Sequence, residues 1–119
     1  MSYSIRAQPG DEGCVVEVSG DIDAAATDTL STALDAAVGV GDTGSLVIVD
    51  LAGANFLDSR SIGILADWHA RMRVVGGRLA LAGARPEVVR LFEMIGLDQT
   101  FEFYADVTAA RAGGGPRAN

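Results

Sequence analysis

The sequence predicts an α/β domain with a mixed β-sheet, and three observations carry this prediction. Near the start, two predicted strands, YSIRAQ and CVVEVSG, flank the turn-forming residues PGDEG, which indicates a leading hairpin. Further along, segments with helical apolar spacing alternate with short β-branched segments. The segment SLVIVDL is nearly continuous in Val, Ile and Leu, as in a strand buried on both faces. A hairpin followed by alternating helices and strands predicts one sheet with about four helices packed on it.

The predicted helices begin and end at ordinary helix signals. The first covers residues 23–38, where Leu and Ala recur at helical spacing before Gly39. The second runs from about Ser59 to Val75, and the glycines of VVGG supply its C-terminal cap. The third lies in RPEVVRLFEMIG, and its predicted apolar face consists of Val88, Leu91, Phe92 and Ile95. The segments RLALAG and TFEFY are predicted strands, and DVTAARA is a predicted short terminal helix.

Length and composition predict a single domain. A chain of 119 residues, 49% hydrophobic and 21% charged, has enough apolar side chains for one core. We expect the domain to cover residues 1–111 and the tail, residues 112–119, to be disordered because it is rich in glycine.

Charge and residue usage exclude several classes of function. A formal net charge of −7 makes nucleic acid an unsuitable partner, because phosphate backbones require a basic surface. The basic residues other than His69 are all arginine, so Schiff-base and P-loop chemistry have no lysine. We expect no membrane insertion, since no apolar stretch could span a bilayer and the start is polar. The single cysteine, Cys14, lies among valines as a core residue would, and the expected compartment is the reducing cytoplasm.

The segment NFLDSRSIG, residues 55–63, places polar residues between the apolar strand and the second helix. Together with VSGDIDAAAT upstream and GGRLALAG and PEVVRLFEMIGLDQTF downstream, it resembles the STAS domain, and more narrowly the bacterial anti-sigma factor antagonists. The resemblance covers roughly Val15 to Ala110. It implies a protein that binds an anti-sigma factor, a serine/threonine kinase of the histidine-kinase-like ATPase type, and so releases a sigma factor for transcription. We expect no catalytic residues, no cofactor and no metal, and a homodimer is compatible with the sequence.

The resemblance also implies a phosphorylation switch, from which this sequence departs. In that family the kinase inactivates the antagonist by phosphorylating a Ser or Thr in Asp-Ser-(Ser/Thr)-Gly-Leu. Here Asp58 and Ser59 match the first two residues, Arg60 stands at the usual phosphoacceptor position, and Ser61 stands at the usual glycine. Two interpretations stay open: Ser59 or Ser61 accepts the phosphate instead, or the protein is not phosphorylated. We favour the second, because adjacent side chains on a helix point about 100° apart and a kinase positions one hydroxyl.

Three acids accompany this switch region. Asp21 and Asp23 correspond to acids that lie near the switch serine in the resembled family, and Asp58 precedes the predicted helix. Arg60 is therefore expected either to contact these acids or to project towards an acidic partner. Ser59 also has a simpler interpretation, as the N-cap or a first-turn residue of the helix, and Asp58 could itself be the cap.

The second helix is predicted to have one core side and one partner-binding side. Its core side is formed by Ile62, Leu65, Ala66, His69 and Met72, with His69 packed and hydrogen-bonded rather than a ligand. On the opposite side, Ile64 and Trp68 are expected to face solvent, as an interface hot spot would. The predicted partner-binding residues are Arg60, Ile64, Trp68 and Arg71.

Two rival functions remain. A STAS module could instead be a scaffold subunit of a stress-signalling or transport complex. The segment DIDAAAT is similar to the nucleophile loop of small haloacid-dehalogenase-type phosphatases, but Ala25 stands where that loop requires Thr or Val, so this match is poor.

Overall fold

A computed structural model describes residues 3–10, 13–40 and 46–113 of the chain. Within these residues there are five strands and four helices. In chain order they are β1 (Tyr3–Gly10), β2 (Gly13–Ile22), α1 (Ala24–Val40), β3 (Leu46–Leu57), α2 (Ser59–Val74), β4 (Arg78–Ala82), α3 (Pro86–Met94), β5 (Glu102–Tyr104) and α4 (Val107–Ala112). None of the described helices is long and apolar enough to cross a membrane.

The five strands form one mixed sheet in the order β1-β2-β3-β4-β5. Strands β1 and β2 pair antiparallel, with Gly10 opposite Gly13, while β2, β3, β4 and β5 pair in parallel. The predicted leading hairpin and mixed sheet are confirmed. Because parallel neighbours point the same way, the connections that follow β2 and β3 leave the sheet at the same edge.

The hydrophobic core lies between one face of the sheet and the three longer helices. Alternate residues of β2, β3 and β4 point into it, and α1, α2 and α3 cover it with a row of fully buried side chains that includes Leu30, Leu65 and Phe92. A smaller cluster on the other face joins Ile48 and Ala80 to Ala110 of α4. Cys14 is buried in the main core as predicted, and burial raises the pKa of its thiol.

Strand β3 is longer than the sequence predicts, and this length positions the candidate site. The apolar run SLVIVDL ends at Leu51, but the strand continues to Leu57. It does so because β2 also continues beside it, pairing Ile22 with Leu57 across two register irregularities. Strand β3 therefore ends directly before Asp58, and no loop separates it from α2.

Of two further predictions, one is wrong and the other lies largely outside the described residues. Ile95 was predicted to lie on the core face of α3, but α3 ends at Met94 and Ile95 is 42% exposed. Once the helix ends, the spacing that buries Val88 and Phe92 no longer governs the next residue. At the C-terminus, α4 ends at Ala112, and residues 114–119 of the predicted tail lie outside the described residues.

Candidate interaction site at the start of helix α2

The starts of α1 and α2 lie side by side because two parallel neighbouring strands end together. Ile22 at the end of β2 pairs with Leu57 at the end of β3. The backbone N–H of Asp58 donates to the carbonyl of Ile22 at 3.0 Å, which ties the start of α2 to the end of β2. The segment that the sequence singled out therefore stands at one edge of the sheet, beside the start of α1.

Asp58, and not Ser59, is the N-cap of α2. Its backbone is extended, and its carboxylate accepts a hydrogen bond from the backbone N–H of Ser61 at 2.8 Å. This satisfies one of the N–H groups that a helix start leaves without a partner. Ser59 is then the first residue of the helix, and its side chain is exposed.

Ser61 is fully buried, in contrast to Ser59. Its hydroxyl lies 3.2 Å from the hydroxyl of Thr27, which is also buried. The Thr27 hydroxyl donates its single proton to the carbonyl of Asp23 at 3.0 Å, so the proton between the two hydroxyls comes from Ser61. This Thr27–Ser61 contact joins α1 to α2, and a kinase could not reach the Ser61 hydroxyl without opening it.

Arg60 is exposed and does not form the predicted contact with the acidic group. No carboxylate of the described residues lies within 4.0 Å of its guanidinium. Asp23 instead accepts from the backbone N–H of Ala25 at 3.1 Å, and Asp21 is half-buried at the end of β2, opposite Phe56. The structure thus brings the switch-region acids to the same edge as Arg60 but forms no ion pair with it.

The prediction that Ile64 and Trp68 face solvent is wrong. Both are half-buried and pack against the main core. Trp68 follows Ser61 by seven residues, nearly two turns, so it lies on the side of α2 that contacts α1. The Arg71 guanidinium lies 4.7 Å from the centre of the Trp68 ring and pairs with Asp67 at 2.8 Å. Of the four predicted partner-binding residues, Arg60 and Arg71 are exposed.

His69 is half-buried, and its ring lies 5.3 Å from that of Phe101 in a tilted arrangement. Burial lowers its pKa below the ordinary value, and the positive charge of Arg73 lowers it further. The ring is packed as predicted. Its Nδ1 is buried with no hydrogen-bond partner among the described residues, so the predicted hydrogen bond is not formed at this atom. The described residues contain no group of three or more potential metal-ligating side chains.

An apolar groove beside Ser59 was missed by the sequence analysis. It has a volume of about 210 Å³ and lies between the start of α2 and the end of α3. Three large apolar side chains in its wall are exposed, with exposed fractions of 41% for Phe56, 73% for Met94 and 42% for Ile95. The signal available in the sequence was Met94 and Ile95 beside Gly96, where a short helix ends too early to bury them. The complete lining is Phe56, Leu57, Asp58, Ser59, Ile62, Leu91, Met94 and Ile95.

A five-stranded mixed sheet whose second helix begins at a capped Asp-Ser pair is the architecture of the STAS class of α/β domain. Comparison with known proteins agrees: the family described as "Mlab, STAS domain" matches residues 5–105. The chain therefore belongs to the STAS domain family, and the resemblance noted from the sequence is confirmed.

Within this family, several proteins similar to this chain are named as anti-sigma factor antagonists. The chain is 28% identical over 86 residues to an anti-sigma F factor antagonist of Lysinibacillus sphaericus, covering 72% of this chain and 73% of that protein. It is 27% identical over 90 residues to the anti-sigma F factor antagonist of Paenibacillus polymyxa, covering 76% of each chain. The crystal structure of an anti-sigma factor antagonist from Mycobacterium paratuberculosis has a TM-score of 0.80 and 28% identity, covering 93% of this chain and 92% of that one.

Proposed function

We propose that this protein is an anti-sigma factor antagonist, which binds an anti-sigma factor and so releases a sigma factor for transcription. The observation that supports this most strongly is the exposed pair Ser59 and Arg60 at the capped start of α2. In the resembled family this is where the kinase acts on the antagonist. The similar proteins described above are named as antagonists, and their similarity covers most of this chain.

The proposed partner is an anti-sigma factor of the serine/threonine-kinase type, and the proposed compartment is the cytoplasm, where sigma factors act. The protein's part is binding rather than catalysis. Arg60 and Arg71 are exposed on α2, and a partner of this kind would meet them at its surface. Trp68 supports the surface from beneath, with the Arg71 guanidinium over its ring, rather than as an exposed anchor.

We also propose that the protein escapes the usual phosphorylation control. Arg60 offers no hydroxyl, and the Ser61 hydroxyl is buried against Thr27. Ser59 is the exposed hydroxyl of the segment, but it lies one position, or about 100° of helix rotation, before the usual acceptor. A phosphate on it would lie among the free N–H groups at the start of α2 and would add about −1.5 to −2 charges to the surface.

The experiment uses the anti-sigma kinases encoded in the same genome, each purified and bound to its sigma factor. Addition of this protein is expected to displace the sigma factor from one of them, measured by the anisotropy of a labelled sigma factor. If none of the kinases binds the protein, the antagonist function is refuted, and a scaffold subunit becomes the better interpretation.

The same mixtures, supplied with ATP, test the phosphorylation proposal by intact mass. The wild-type mass should not change, whereas Arg60→Ser should gain one phosphate because it restores a hydroxyl at the usual position. Arg60→Ala is the matched control, since it removes the charge without adding a hydroxyl. One phosphate on the wild type, abolished by Ser59→Ala, would overturn the proposal.

A further inference from the structure

The second half of strand β3 has a neighbouring strand on one side alone among the described residues. Strand β4 pairs with β3 up to Asp50, opposite Ala82, and β4 ends there. The chain leaves β3 at Gly83, whose φ of +74° lies in the left-handed region that favours glycine. On the other side, β2 stays paired with β3 to the last residue of both strands. Residues 51–57 of β3 therefore have no strand pairing on the side of β4.

The side chain of Arg85 bonds to β3 in this unpaired stretch. Its Nη2 donates to the carbonyl of Ala54 at 2.8 Å and to Oδ1 of Asn55 at 2.7 Å. Ala54 is fully buried, and a buried carbonyl needs a hydrogen-bond partner in place of water. Hydrogen bonds to a charged donor are stronger than those between neutral groups. Arg85 therefore supplies hydrogen bonds to a part of β3 with which β4 no longer pairs.

The contacts with β3, and not a role in α3, account for the orientation of the Arg85 side chain. Its backbone carbonyl accepts from the N–H groups of Val88 and Val89, but its side chain makes no capping hydrogen bond. Its ion pair with Glu87 is 3.9 Å long and exposed, and such pairs contribute little to stability. Its Nε is buried without a partner among the described residues, which opposes this placement. The two hydrogen bonds of Nη2 must therefore hold the guanidinium against β3.

We infer that Arg85 is a positioning residue for the start of α2. Asp58 follows Asn55 by three residues, and no loop lies between β3 and α2. On the side of β2, the carbonyl of Ile22 holds the backbone N–H of Asp58. On the side where β4 has ended, Arg85 holds the strand just before it. The end of β3 is thus fixed from both sides, and α3 is joined to the start of α2 through one side chain.

This inference rests on the proposed function, because it gives Arg85 a part in binding the anti-sigma factor. The exposed residues Ser59 and Arg60 directly follow Asp58, so a movement of the end of β3 would move both of them. A surface that must first be ordered binds more weakly than one already held in place. Arg85 therefore contributes to affinity by preorganising the start of α2, although it belongs to another element.

Amide hydrogen exchange of the free protein, followed by NMR, tests the positioning without any partner. Arg85→Met keeps a long side chain but removes the donors. Exchange of the Asp58 amide should then rise at least about tenfold relative to that of Leu81, which lies in the middle of β4 and reports global opening. Arg85→Lys keeps a cation that can donate to the same two oxygens, so its exchange ratio should lie between those of wild type and Arg85→Met.

The matched control is Arg78→Met. Arg78 also donates to backbone carbonyls, but it lies at the start of β4 and its acceptors are at the end of α4. Its loss should destabilise the protein without changing the ratio of Asp58 exchange to Leu81 exchange. An unchanged ratio in Arg85→Met, or an equal rise in both variants, would overturn the inference.

The sigma-factor displacement assay described above tests the consequence for binding, at a temperature where both variants are folded. Arg85→Met should bind the anti-sigma kinase at least about fivefold more weakly than the wild type does, whereas Arg78→Met should bind it equally well. Wild-type affinity of Arg85→Met would overturn the inference while the proposed function stands. If no anti-sigma kinase binds the wild type, the proposed function is refuted, and the exchange ratio alone decides whether Arg85 positions the start of α2.

Discussion

The buried contact between Thr27 and Ser61 allows a prediction in which two similar substitutions differ in cost. The Thr27 hydroxyl donates its one proton to the carbonyl of Asp23, so we assign Ser61 as the donor in the 3.2 Å contact between the two hydroxyls. Thr27→Val should therefore leave the Ser61 hydroxyl buried without an acceptor. An unsatisfied buried donor costs roughly 1–3 kcal/mol of the free energy of unfolding. The Asp23 carbonyl is affected less, because it still accepts from the backbone N–H groups of Ala26 and residue 27.

Ser61→Ala should cost less than Thr27→Val. It removes the donor, while the Thr27 hydroxyl keeps its hydrogen bond to Asp23 and so leaves no proton unsatisfied. The loss of one hydrogen bond costs about 0.5–1.5 kcal/mol net, and the higher helix propensity of Ala offsets part of it. We expect a total below about 1 kcal/mol. The double variant should be less destabilised than the two single costs added together, because removal of Ser61 also removes the orphaned donor.

Urea denaturation followed by far-UV circular dichroism measures all three variants against the wild type. Unchanged m-values would show that the midpoints report stability. If Ser61→Ala proves as costly as Thr27→Val, the direction of donation assigned here is wrong. Strict additivity in the double variant would show that the two hydroxyls do not interact.

Three further predictions concern the same region. Asp58→Ala should cost about 1 kcal/mol of stability through loss of the N-cap, whereas Asp58→Asn should cost much less because its amide oxygen still accepts the hydrogen bond. Equal urea midpoints for the two variants would contradict the capping role. Trp68→Ala should lower the free energy of unfolding by about 2–3 kcal/mol, less than the roughly 3–5 kcal/mol of a fully buried aromatic residue. The exposed control Val74→Ala should be nearly neutral, and an equally small effect of Trp68→Ala would show that Trp68 does not contribute to the core. The His69 imidazole should titrate by NMR below the ordinary pKa of about 6.5, because burial disfavours its charged form. Its contribution to stability is then present above pH ~6.5 and lost as pH falls through the lowered pKa, so His69→Gln should flatten this part of the pH–stability curve.

The architecture could be predicted from sequence because its signals are local. Apolar alternation, β-branched runs and glycine-terminated helical spacing act within a few residues, and they identified the hairpin, the mixed sheet and the helices. Strand β3 was predicted too short for the same reason. Beyond Leu51 the strand contains fewer apolar residues. It continues to Leu57 because it pairs with β2, and not because of local β-propensity.

The candidate site was predicted in position but not in detail. Local signals in the sequence were enough to place Asp58 and Ser59 at the start of a helix and Arg60 at the usual phosphoacceptor position. A helical wheel tells which residues share a side, but it does not tell how far the neighbouring helix extends over that side. Trp68 was therefore placed in solvent, although it is half-buried and packs against the main core.

Contacts between residues distant in sequence could not be predicted in this way, because they depend on how the elements pack. Ser61 is buried because Thr27, 34 residues earlier, lies against it when the ends of β2 and β3 come together. The groove exists because Phe56, at the end of a strand, and Met94, at the end of a helix, lie beside each other while neither is covered. A sequence pattern records the polarity of each residue and its near neighbours. Which surfaces of distant elements meet is fixed by the packing of the whole chain.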